Sequence, residues 1–79
     1  MHRQPMPPER VLARRRAIGD NIRAARLKAR LTQEAVGLRA GMDLASYNRI
    51  EQGHSSPLLD SLIRIADAIG VPLADLVRE

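Results

Sequence analysis

An all-α chain of five helices, packed as one compact domain with a helix-turn-helix at its centre, is what the sequence predicts, on three observations. Apolar and polar residues nowhere sustain the period-two alternation of a half-buried strand. Apolar side chains recur instead at spacings of three, four and seven, the repeat of one helical face. Glycines at 41, 53 and 70 fall just after three of these runs, where a left-handed residue most easily stops a helix.

Taken in order, residues 1–8, "MHRQPMPP", hold three of the five prolines and no hydrophobic period, so they read as a flexible arm. The helical domain then runs over residues 9–79. Its first helix begins near Glu9, with Val11, Ile18, Ile22, Ala25 and Ala29 as the expected buried face. Gly19 costs that helix about 1 kcal/mol relative to alanine, so residues 17–30 carry the stronger pattern. Thr32 is placed to cap the second helix, "QEAVGLRA", with Glu34 in its first turn, where a carboxylate suits the helix dipole. Gly41 ends it, and Asp43 can cap a third helix over residues 44–52, "LASYNRIEQ", which Gly53 stops. After the loop "HSSP", a fourth helix carries Leu59, Leu62, Ile63, Ala66 and Ile69 as its apolar stripe and closes at Gly70. A fifth, "LADLVRE", follows Pro72 and runs to the last residue, with Leu73, Leu76 and Val77 apolar.

Composition narrows the function. A chain of 79 residues makes one small domain that buries about 60% of its unfolded surface, too little for a large enzyme cleft. Without Phe or Trp, the core falls to the 20 Leu, Ile and Val residues, with Ala between them. There is no cysteine, and the two histidines, His2 and His54, lie far apart, so no metal site and no cofactor is expected. Asp43, Ser46 and His54 do not make a catalytic triad merely by coexisting, and the chain reads as a non-enzyme. No apolar run reaches the ~18 residues of a membrane span, and the first residues lack the apolar stretch of a secretory signal, so a cytoplasmic protein is expected. The net charge of +4 divides unevenly: residues 1–31 carry +7 and residues 32–79 carry −3. A basic first third suits an anionic partner such as nucleic acid, although a solvated charged helix face has the same composition.

The second and third helices are joined by so few residues around Gly41 that they must cross steeply, which is helix-turn-helix geometry. On the third helix Tyr47 and Ile50 share the core side with the capping Asp43. Ala45, Asn48, Arg49 and Gln52 fall on the other side by the ~100° step of an α-helix. Tyr47, the sole aromatic residue, reads as a core filler with its hydroxyl at the surface. The outer set is small and polar, and a short rod bearing it fits a DNA major groove.

With "IGDNIRAARLKARLTQEAV", "AGMDLASYNRIEQG" and "SPLLDSLIRIADAIGVPLADLV" in order, residues 17–77 resemble the phage-repressor-like, XRE-type helix-turn-helix DNA-binding proteins. The resemblance implies the lambda-repressor-like DNA-binding fold and a sequence-specific regulator of transcription, bound to double-stranded DNA. It implies that Gln33, with nearby backbone amides, holds a phosphate, and that Leu44, Ala45 and Arg49, with Ser46 and Asn48 near them, face base edges or phosphates. Gln52 joins this set by its place on the outer face. It implies that Arg26 of the first helix pairs with Glu51 of the third, and that the protein pairs as a homodimer through its fourth and fifth helices. Relatives often carry polar side chains where Leu44 and Ala45 stand, so direct readout here rests on apolar contact with thymine methyls and on Arg49 to guanine. Asp43 replaces the commoner Ser or Thr cap, which favours the helix and opposes the phosphates. Relatives usually have Ala where Gly37 stands and a capping Ser or Thr at Leu58.

Some alternatives stay open at this level. Arg14, Arg15 and Arg16 form either a solvated face of a lengthened first helix or a set of phosphate contacts, and the salt dependence of binding separates these. Leu38 lies on the polar side of the second helix. The fifth helix has more apolar surface than two turns usually bury, from a dimer contact or from capping the domain's own core. A rival of another class is a protein-interaction module, antitoxin-like or an adaptor, that keeps the fold without specific DNA binding.

Overall fold

The structure is a computed structural model that describes residues 8–79. The expected arm therefore lies outside the described residues except for Pro8. Five helices follow: α1 (Glu9–Lys28), α2 (Gln33–Ala40), α3 (Leu44–Glu51), α4 (Leu59–Ile69) and α5 (Leu73–Val77). Among the described residues there is no strand.

The punctuation read from the sequence is where it was expected. The Thr32 hydroxyl accepts from the Ala35 amide at 3.0 Å and the Asp43 carboxylate from the Ser46 amide at 3.1 Å, so each side chain satisfies an amide that its helix leaves unpaired. Gly41 is left-handed at φ 72°, and its amide returns to the last turn of α2. The connection to α3 is thus short and sharply turned, as a helix-turn-helix requires.

Helix α1 ends differently. No glycine is available, and Arg30 takes the left-handed conformation at φ 60°, while the Leu31 amide closes the end by bonding the Arg26 carbonyl at 3.1 Å. A Cβ in that conformation costs about 1 kcal/mol, which glycine escapes. Arg30→Gly is therefore expected to raise the thermal midpoint by roughly 4–8 °C, the shift that about 1 kcal/mol produces in a domain of this size. A midpoint equal to or below that of the parent chain would show that the arginine side chain recovers the strain elsewhere.

Helix α2 packs on α4 and α3, and α1 packs on α3 and α5. The core between them is Ile22, Val36, Ala40, Tyr47, Ile50, Ile65, Ala66, Ile69 and Leu76. Two expected stripes need correction. On α1 Ile22 is buried and Ile18 and Ala25 lie at the core's edge, but Val11 is exposed in the first turn and Ala29, the residue that follows the last turn, is exposed as well. On α4 Leu59 and Ile63 are exposed and Ile65 is buried in their place. That helix is apolar over a wide arc, and the positions of α2 and α5 decide which slice is covered. Helix α5 stops at Val77 rather than at the last residue. Its Leu76 is fully buried and Leu73 partly so, which shows that α5 caps the domain's own core, while Val77 stays exposed.

Candidate nucleic-acid interface

Helix α3 is a two-turn rod with two unlike faces. Tyr47, Ile50 and Glu51 are buried beneath it. Leu44, Ala45, Ser46, Arg49 and Gln52 are exposed, and Asn48 is half-buried at the flank. All the residues expected at base edges or phosphates on this helix therefore lie on or beside its open side.

What holds the rod is a buried polar cluster centred on Glu51. Arg26 donates to it as a fork, Nε to Oε2 at 2.6 Å and Nη2 to Oε1 at 3.1 Å. The remaining Nη1 donates to the Leu31 carbonyl at 3.0 Å and so ties the end of α1 to the same cluster. The Tyr47 hydroxyl donates to Oε2, and Gln33 Nε2 donates to Oε1 at 3.0 Å. Three helices thus meet at one carboxylate. The expected Arg26–Glu51 pair is present, and the Tyr47 hydroxyl is buried on Glu51 rather than at the surface as the sequence suggested.

The electrostatics follow from this geometry. Burial pushes the Glu51 carboxyl up, but the hydrogen bonds from Arg26, Tyr47 and Gln33 and the Arg26 charge more than offset it, leaving it below the usual carboxylate range. Its hydrogen bond to Glu51 raises the Arg26 guanidinium above its ordinary value, and burial raises the Tyr47 hydroxyl. At neutral pH the cluster holds one anion, one cation and a neutral phenol. At the other end of α3, the hydrogen bonds from Ser46 hold the exposed Asp43 carboxyl below its ordinary value, so a negative charge stands at the mouth of the rod.

Gln33 is more committed than the sequence suggested. Its amide nitrogen donates to Asn48 Oδ1 as well as to Glu51, both at 3.0 Å, which uses both of its hydrogens inside the protein. While these bonds last, the side chain has no hydrogen for a phosphate. The backbone amides of Gln33 and Glu34 have no protein partner among the described residues, as expected in the first turn of a helix. No sequence signal marked Asn48 as the partner of Gln33, since the two meet only across the α2–α3 crossing.

The three consecutive arginines of α1 part company. Arg14 donates to the carbonyl of Val77 at 3.0 Å and that of Arg78 at 3.4 Å, so it braces the end of α5. Arg15 lines a largely apolar recess with Ile18, Ile50, Ser55, Ser56, Pro57 and Leu62, and its buried Nε has no hydrogen-bond partner among the described residues. Arg16 is exposed.

Comparison with known proteins bears on the fold and the family. Residues 22–76 match the helix-turn-helix family. The chain is 33% identical over 63 residues to an uncharacterised HTH-type transcriptional regulator, y4dJ, of Sinorhizobium fredii, covering 80% of this chain and 82% of that one. It is 36% identical over 58 residues to the cryptic phage CTXphi transcriptional repressor RstR of Vibrio cholerae, covering 73% of this chain and 52% of that one. The restriction-modification controller protein C.AhdI of Aeromonas hydrophila shares the fold with a TM-score of 0.79 at 23% identity, covering 81% of this chain and 97% of that one. The family and these relatives are regulators rather than enzymes. The chain belongs to the helix-turn-helix family of DNA-binding transcriptional regulators.

Proposed function

We propose that the protein recognises a specific double-stranded DNA site by laying α3 in the major groove, with α2 across the adjacent backbone. One observation carries this reading: Ala45, Arg49 and Gln52 are open on one side of a rod whose other side is locked into the core. A reading helix needs both properties, since contacts made by a loose element forfeit affinity to ordering. In this arrangement Arg49 reads guanine, Leu44 and Ala45 meet thymine methyls, and Ser46 and Gln52 touch the flanking backbone. The backbone amides of Gln33 and Glu34 take a phosphate at the positive end of α2, and Gln33's side chain steadies α3 through Asn48 and Glu51. Two copies pair through α4 and α5, where Leu58, Leu59, Ile63 and Val77 are exposed. As a DNA binder, the protein works in the cytoplasm.

The test is selection of bound sequences from random DNA, followed by binding measurements on the selected site. Arg49→Ala is expected to weaken that site by about 1–3 kcal/mol, roughly 5- to 150-fold, and to relax preference at a guanine. Two-fold symmetry in the selected sequences is the expected mark of the dimer. Recovery of no consensus, with equal affinity for every duplex, would exclude the specific reading in favour of an interaction module.

A further inference from the structure

Beside α3 lies an open groove of about 600 Å³ whose α1 wall the major-groove reading does not use. One wall is α1, through Arg16, Asp20 and Arg23, and the other is formed by Asn48, Gln52 and His54. Its floor holds the Arg26–Glu51 pair, whose charges cancel. Arg16 and Arg23 are seven residues apart on one helix, so their stems are about 10 Å apart along its axis and lie on the same side. Among the described residues neither is ion-paired. Asn48 adds to this lining in a defined sense. Gln33 occupies its side-chain oxygen, leaving the NH2 as its free polar group. The groove therefore offers two guanidinium forks and an amide donor, with Asp20 as its one uncompensated acid.

We infer that this groove is a second seat for the DNA backbone, in which Arg16 and Arg23 neutralise phosphates of the strand running alongside α3. The inference rests on the proposal that α3 enters the major groove. Asn48 on α3 and Gln52, the residue that follows its last turn, both line the groove, so a duplex held by Arg49 brings its backbone to this edge of the same rod. The contact with Gly53 fixes the seat: a Cβ there would stand 2.8 Å from the Arg16 Cα, so the start of the loop after α3 lies directly on α1. Of the three arginines in the run only Arg16 lines this groove, whereas Arg14 is bonded to the end of α5 and Arg15 lines the apolar recess. Phosphate contacts of this kind set register and affinity without reading sequence.

Binding of the selected DNA site is measured over a range of salt for the full chain and for Arg16→Gln, Arg23→Gln and the double variant, with thermal melts as a check on folding. Glutamine keeps the stem of each side chain and removes only its charge. Each single change is expected to reduce the magnitude of the slope of log K against log salt by about 1, and the double change by about 2. The ratio of affinities for the selected and a scrambled site stays constant. Asp20→Asn is expected to tighten binding to both sites alike. Arg10→Gln, at a residue directed to Glu79, leaves the slope unchanged. A folded double variant with the parent slope would overturn the inference while leaving the major-groove reading intact. Failure of the parent chain to prefer any sequence would instead overturn the reading on which the inference rests.

Discussion

Arg26→Met is expected to destabilise the domain by about 3–5 kcal/mol, the cost of breaking a buried ion pair from one side. Methionine fills much of the arginine stem's volume but leaves the Glu51 carboxylate, 5% exposed, with only Tyr47 and Gln33 as donors. A domain's total stability is about 5–15 kcal/mol, so this one change removes a large part of it. Arg26→Lys falls between, because an ammonium keeps the charge but cannot reproduce the two-bonded fork and the third bond to Leu31. The pH dependence gives the sharper test. In the parent chain the Glu51 carboxyl is depressed, so its contribution is complete above the unfolded value of about 4.3 and is lost as pH falls through the folded one. In Arg26→Met burial dominates, the carboxyl moves up, and the sign reverses: the penalty is relieved as pH falls and the buried group takes a proton. Urea unfolding of both proteins at several pH values checks this. A variant that loses stability in parallel with the parent on acidification would mean that Glu51 is not held by Arg26.

The features that were legible in the sequence are those whose cause is local. Thr32 and Asp43 announce helix starts because a short oxygen-bearing side chain bonds the amide three residues on. Gly41 announces a stop because it takes a left-handed turn at no steric cost. The Arg26–Glu51 pair was accessible only through the family resemblance, since 25 residues separate the partners and no spacing rule joins them. What the sequence hid depends on three helices at once. The burial of the Tyr47 hydroxyl and the engagement of Gln33 are consequences of α1, α2 and α3 converging on one carboxylate. The exposure of Leu59 and the burial of Ile65 were hidden differently: α4 presents apolar residues in several directions, and periodicity alone cannot choose which of them its neighbours cover. The stop at Arg30 has no local signature, because it uses strain in place of glycine.

By propensity alone Gly19 is a weakness of α1, and the structure gives it a purpose that leads to the second large effect. A Cβ at this position would stand 2.4 Å from the carbonyl oxygen of Glu51 and 2.8 Å from that of Ile50. Both obstacles are backbone, so no rotamer change relieves them. Alanine brings about 1 kcal/mol of helix propensity, whereas forcing extra volume into a packed contact costs typically 1–3 kcal/mol and more where backbone must shift. The steric term wins, and Gly19→Ala is expected to destabilise by about 2–3 kcal/mol net. Gly37→Ala is the matched control, because its Cβ would meet the Met42 carbonyl oxygen at 3.2 Å, a tight contact that a shift of a few tenths of an ångström accommodates. Propensity then offsets most of the cost, and stability stays within about 1 kcal/mol of the parent. The two variants also separate in function. Pushing α1 away at Gly19 lengthens the Arg26–Glu51 fork and moves the groove wall that carries Arg16 and Arg23, so DNA affinity falls even at temperatures where the variant is folded. Thermal melts and binding to the selected site, measured together, decide the matter. A Gly19→Ala protein that melts at or above the parent temperature would mean that α1 and the end of α3 are not in backbone contact, and the bracing ascribed to α1 would fail with it.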